Sequence, residues 1–350
     1  MAVIEKTAEK SKEVISYFNP KVWKEKGLKW TLGFFSVTAV IAVFVLMFIW
    51  STEPAQFDVL ENTYDLTGTE KGQTLVNGAV TTATLSRLVT TLLEKPGGFI
   101  ENDKMPPGVM MDNIPNWEFG VLTHIRDFSL SMRDDLSRSQ SQSIENKNLV
   151  KAQIKFNIDS EAWMMPAAES SYKKGRDKVN AYLDELQQGK AQFYARADNL
   201  HTLLNKMQKR LGSLSQNLSA SVGQLRINTD LAGDSGATQS THTADQQYIK
   251  TDWFKIDDIF YEARGQAWAI LHILKAVEID FEGVLKKKNA IASIRQIIRE
   301  LESTQETVWS PIILNGSGFG FVTNHSLVMA SYISRANAAL IDLKNLLEQG

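Results

Sequence analysis

From Trp30 to Trp50 the chain reads WTLGFFSVTAVIAVFVLMFIW, with no charged side chain and a tryptophan at each end. A helix rises about 1.5 Å per residue, so a run of this length covers the roughly 30 Å hydrocarbon layer of a bilayer. Indole rings favour the two interfaces. The run is too long for the core of a signal peptide, and the Ser51-Thr52-Glu53-Pro54 that follows lacks a small-x-small cleavage pattern, so a retained transmembrane anchor is expected. Lys24, Lys26 and Lys29 precede it, while Glu53, Asp58, Glu61 and Asp65 follow. By the positive-inside rule the N-terminus is cytoplasmic and the long C-terminal part lies on the other side.

The rest of the chain is read outward from that anchor. Residues 1–29 form a basic cytoplasmic tail in which Tyr17, Phe18 and Trp23 stand among lysines, either as an interfacial segment or as an ordinary flank. Residues 51–72 are acidic and turn-rich and read as a tether. Residues 73–350 read as one helical domain, opening with an amphipathic helix over 73–95 that Pro96-Gly97-Gly98 stops. Residues 96–120 follow as a proline- and glycine-rich loop with unusual apolar content, including Met105, Met110, Met111, Ile114 and Trp117. Such a strap either packs on the helices or offers apolar surface to a partner. Helical spacing resumes over 117–139, and alternation at Val150, Ala152, Ile154, Phe156 and Ile158 predicts an extended strand.

Beyond Pro166 a heptad-like seam runs from Val179 to Leu225, interrupted only by Lys190 and Ser221. As one helix it would be about 70 Å long. Lys190 either fixes register or snorkels out of the seam. After a polar loop at 228–246, expected to be mobile, a second seam runs from Trp253 to Val284, and the two suggest an antiparallel hairpin over about 166–287. Helices over 290–304 and 325–348 would cover it. The glycine loop 315–321 lies between them, with Phe319 and Phe321 expected to pack inward.

Chemistry-bearing patterns are sparse. The chain has 350 residues, a net charge of −2 and no cysteine, which removes a basic nucleic-acid-binding field, disulfides, thiolate metal sites and cysteine nucleophiles. No two of the five histidines are spaced i, i+3 or i, i+4, and Asp198 with His201 supplies a single Asp-x-x-His. Asp257, Asp258 and Glu262 read as acids at a helix start. The glycine loop has no P-loop lysine, and no Gly-x-Ser-x-Gly elbow is present. No catalytic, cofactor or metal residue is assigned.

Three stretches, YFNPKVWKEKGLKW leading into the anchor, MPPGVMMDNIPNWEFGVL at 105–122 and FYARADNL at 193–200, resemble an uncharacterised family of proteobacterial single-pass inner-membrane proteins defined by a domain of unknown function. The resemblance implies a Gram-negative inner-membrane address with a periplasmic domain, and no catalytic residues. The expected protein is all-α: one anchor, with Trp30, Trp50, Lys24, Lys26 and Lys29 at the bilayer, then an elongated helical bundle built around the long hairpin. Its expected role is non-enzymatic, a scaffold or assembly protein contacting lipid, itself or other envelope proteins. A sensory or ligand-binding ectodomain is the alternative, an envelope hydrolase a weaker one.

Overall fold

A computed structural model describes residues 16, 18–139, 143–227, 246–310 and 312–349. Among them are twelve α-helices, while the one sheet is a two-stranded antiparallel ribbon, β1 (Gln224–Ile227) and β2 (Gln246–Ile249), so the all-α class holds. The short α1 (Pro20–Lys26) is capped by Asn19 and stopped at Gly27, whose φ of 80° admits no ordinary side chain. Next comes α2 (Leu28–Trp50), none of it buried, and long and apolar enough to cross a membrane. Lys24 and Lys26 therefore sit on α1, and Lys29 and Trp30 on the first turn of α2.

The body is organised on α9 (Ile256–Asp280), whose residues 263–274 are all buried. Side chains that are apolar all round are what a helix enclosed by others requires. Its broadest contact is with α5 (Asn113–Ser131), and the two run parallel: Asn116 meets Asp258, Gly120 meets the backbone of Glu262, and His124 meets Gln266. The first helix of the body, α4 (Ala79–Glu94), has no N-cap side chain of its own. Asp280, at the far end of α9, supplies the acceptor instead, taking the Thr81 N–H at 2.7 Å. Alongside lies α7 (Ala168–Gln187), antiparallel to α4 through Arg176–Glu94 and Asn180–Ser86. On the other flank α8 (Ala197–Ser219) and α12 (His325–Glu348) are antiparallel, with pairs His201–Glu348, Lys344–Gln208 and Ser215–Ser334. The bundle is completed by α11 (Ile291–Ser303), tied to α12 by Glu300–Arg335, and by the single-turn-scale α10 (Glu282–Lys287).

Several expectations are corrected. Residues 150–158 are not a strand: 150–156 are the greater part of α6 (Lys147–Phe156), and 157–158 turn out of it. The Asn146 side chain accepts from the Asn148 and Leu149 N–H groups, nucleating a helix that buries Leu149, Ala152 and Phe156, while Ile154 stays exposed. The period-two pattern was fortuitous beside that 3–4 spacing. The first seam is not one helix. Gly189 at φ 68° ends α7, and the Lys190 and Ala191 N–H groups turn back onto the Glu185 carbonyl, a left-handed C-terminal cap. Lys190 is consequently exposed in a turn, bonded to Gln188, and occupies no seam position. The second seam helix takes α5 rather than α8 as its main partner.

Phe319 and Phe321 do not pack inward; both are fully exposed on a loop closed by the Asn315–Asn324 bridge. Residues 51–72 are not a free tether either, since they include α3 (Val59–Thr67), with Val59 and Thr63 buried. Of the expected mobile loop, 228–245 lies outside the described residues, as does Tyr17.

Candidate functional site

No group of three or more His, Asp or Glu side chains among the described residues is arranged for a metal ion. The polar chemistry concentrates where α2 enters the body. Trp50 packs on the main core, its ring lying where a Cβ on Gly97 would stand, so that position has room only for glycine. Three residues on, the Glu53 carboxylate accepts from Arg264 Nε at 2.6 Å. Arg264 is buried, and its remaining N–H groups donate to the carbonyls of Thr304 (2.9 Å), Glu306 (2.8 Å) and Gln305 (3.2 Å). A guanidinium is well matched to this task, since its planar fork can satisfy several acceptors at once.

The chain then follows α9. The Phe57 ring stacks on His272 at 4.0 Å, and the Phe57 N–H donates to His272 Nε2. Because His272 Nδ1 lies 2.7 Å from the Trp268 carbonyl, the Nδ1–H tautomer satisfies both contacts, and burial holds its pKa down at about 4. Two clefts flank Arg264. One, of about 370 Å³, includes Phe260, Trp309, His325 and Tyr332 in its wall; the other, of about 430 Å³, lies between residues 51–56 and Tyr261, Trp268 and Gln305. Arg264→Ala strands the Glu53 carboxylate and three carbonyls. A loss of about 2 kcal/mol is expected, read as a lower melting temperature and faster proteolysis within 51–57 of the full chain in detergent.

The second polar centre pins the strap. The buried Glu118 carboxylate pairs with Lys95 Nζ at 2.5 Å and accepts the N–H groups of Ile100 and Glu101, each at 2.9 Å from Oε2. Burial pushes its pKa up to about 7, against the pull of Lys95 and those two donors. Beside it, Glu101 is raised to about 7, first by burial and then by repulsion from Glu118 and Glu161. Since the folded pKa is raised, the unfolded chain ionises first, and stability is lost as pH climbs from about 4.5 to 7. Glu101→Gln removes that loss: above pH 7 the variant should be more stable than wild type by about 2 kcal/mol, with the gap closing below pH 5, as denaturant titrations at the two pH values would show.

The expected interaction residues divide. Ile114 is buried in the core, Trp117 is buried in the α5–α9 contact and Met111 packs on the core, whereas Met105 and Met110 are exposed on the same loop. Lys190 is at the opposite end of the body. The structure adds Arg264, Glu53, Lys95, Glu118 and the Phe57–His272 stack. Two of them left a trace in the sequence: Glu118 and Arg264 are the only charges inside the largely apolar helical runs NWEFGVL and ARGQAWAIL. Their partners come from distant segments that no local pattern links.

No curated protein and no solved structure matches the chain. The sequence of residues 23–350 fits that of a family described as uncharacterised proteins conserved in bacteria, DUF2333. With that match spanning α2 and every helix of the body, the chain belongs to the DUF2333 family.

Proposed function

We propose that this is a non-enzymatic, membrane-anchored structural or interaction protein of the bacterial cell envelope, with α2 across the inner membrane, its N-terminus cytoplasmic and its helical body periplasmic. The observation that carries the reading is the seating of residues 50–57. Through Trp50, the Glu53–Arg264 pair and the Phe57–His272 stack they fasten the helix to the core within seven residues of its end. A body mounted this way is a fixed platform at the bilayer rather than a domain swinging on a leash. The lysines before α2 and the acids after it support the orientation.

Native mass spectrometry of the full chain, gently extracted from its own membrane, tests the reading. A homo-oligomer or a defined second protein is expected. A monomer carrying a stoichiometric small molecule would favour the alternative, a ligand-sensing ectodomain. That alternative has one observation behind it: both clefts share Arg264, so an occupant would bear directly on the bond to Glu53.

A further inference from the structure

Four loop regions, distant in sequence, meet at the end of the body from which α2 leaves, and α9 is the ruler that shows it. Glu53 sits on Arg264 and Phe57 on His272, so the chain leaving α2 travels toward the C-terminus of α9. Eight helical residues rise about 12 Å, and four extended residues span about 13 Å, so the two lengths agree. Traced backwards, α2 ends toward the N-terminus of α9. Trp253 and Phe254, eleven and ten residues before Arg264, thus stand about 15 Å back along the axis, at or beyond the level of Trp50.

The other loops reach the same level. Asn116–Asp258 places the 105–112 loop beside the start of α9. Because α4 runs from Asp280 back to Lys95 and α7 runs against it, the 159–167 loop returns there too, tied by the Asn102 amide to the Ala162 carbonyl. Phe260 and His325 hold the start of α12, and with it the 315–324 loop.

Large apolar side chains are exposed on every one of these loops: Met110 at 57%, Trp163 at 57%, Phe254 at 88% and Phe319 at 106% of their full exposure, joined by Trp309 at 92%, which shares a cleft with Phe260 and His325. At the opposite end, loops 68–78, 188–196 and 281–290 and the described part of 137–146 carry no exposed aromatic side chain, Ile144 being the one large apolar side chain fully exposed there among the described residues. Water does not favour such a set, and one end of a helical bundle collects it only where something else covers it.

We propose that this end is a bilayer-docking foot: the exposed Trp, Phe and Met side chains around the exit of α2 sit in the headgroup–acyl boundary of the membrane the helix crosses. The inference rests on the reading of α2 as a membrane span. The occupant follows from continuity, because the interface that takes Trp50 extends sideways to any side chain at the same level. Aromatic rings are suited to that boundary, and Lys250 and Lys255, exposed on either side of Trp253-Phe254, can reach headgroup phosphates. The foot would hold the body upright over the anchor at a set height.

The absence of cysteine makes the test direct. The full chain carrying a single Met110→Cys, Phe254→Cys or Phe319→Cys substitution is labelled with an environment-sensitive fluorophore and reconstituted in phosphatidylethanolamine–phosphatidylglycerol vesicles with shallow spin-labelled lipid. Lys287→Cys, at the opposite end, and Val40→Cys, within α2, are the controls. The expected result is blue-shifted, lipid-quenched emission at positions 110, 254 and 319, none at 287, and quenching at 40 by deep spin labels. Quenching at 40 with foot labels no more quenched than 287 overturns the foot alone. Foot labels that are blue-shifted but unquenched, in a protein that crosslinks as a dimer, also overturn it by showing that a second copy covers the patch. Absence of quenching at 40 overturns the span, and the foot with it.

Discussion

Lys95→Met should destabilise the full chain by about 3–5 kcal/mol at pH 8, measured by denaturant unfolding in detergent. Lys95 and Glu118 are both almost fully enclosed, and the pair holds Ile100 and Glu101 against α5. Removing the ammonium leaves an enclosed carboxylate with no counter-charge, which costs far more than the net worth of the pair. The sign of the pH dependence follows. Without Lys95 the Glu118 pKa rises further above about 7, so toward pH 5 the carboxyl is protonated and the deficit shrinks. A Lys95→Met/Glu118→Gln double variant should recover much of the loss, since the amide oxygen still accepts a backbone N–H and carries no charge. A deficit equal at both pH values, or a double variant no better than the single, would show that packing of the lysine stem was the dominant loss.

Gly265→Ala is expected to cost about 3 kcal/mol or more, although the same exchange inside an ordinary helix stabilises. The α5 and α9 backbones touch through two glycines. A Cβ on Gly265 would stand 2.1 Å from the Trp117 carbonyl oxygen, and one on Gly120 would stand 2.2 Å from that of Glu262. Backbone cannot swing aside as a side chain can, so the two helices must separate. That separation would loosen the Trp117–Trp268 contact, whose ring centroids lie 5.3 Å apart. Gly283→Ala is the control: nothing lies within 4 Å of its Cβ position, and a gain of up to about 1 kcal/mol is expected from helix propensity. Paired thermal melts would read the two opposite signs; similar shifts would mean that the α5–α9 contact yields without cost.

Much of the helical layout was legible because burial imprints a 3.6-residue period. The helix over 325–348 and the one beginning at Ile291 carry that imprint with clear boundaries, while the membrane-length helix, none of it buried, was legible from its unbroken apolar run instead. The first seam was misjudged because an apolar stripe records which side of a segment is buried but not where the backbone turns. The stripe through Val179, Leu186, Phe193 and Leu200 is real, and Phe193 is buried, yet Gly189 in the left-handed region lets the chain turn without breaking the pattern. The ten-residue helix over 147–156 buries so few side chains that period two and period 3.6 fit equally well, and the deciding signal was the Asn146 cap.

The candidate site was mostly illegible, since its members meet only across sequence separations of up to 215 residues, as Phe57 and His272 do. What the sequence determined by itself was what local chemistry can encode: one uncharged run long enough for a bilayer, its charge-biased flanks, the helical class and the lack of cysteine chemistry. What only the tertiary structure decided was which segments meet: Glu53 on Arg264, Lys95 under Glu118, and the exposed large apolar side chains of four loops gathered at one end. Each helix's own residues specify its apolar face, but its neighbours are selected by the complementary shapes of all the faces together, and that selection exists only in the folded chain.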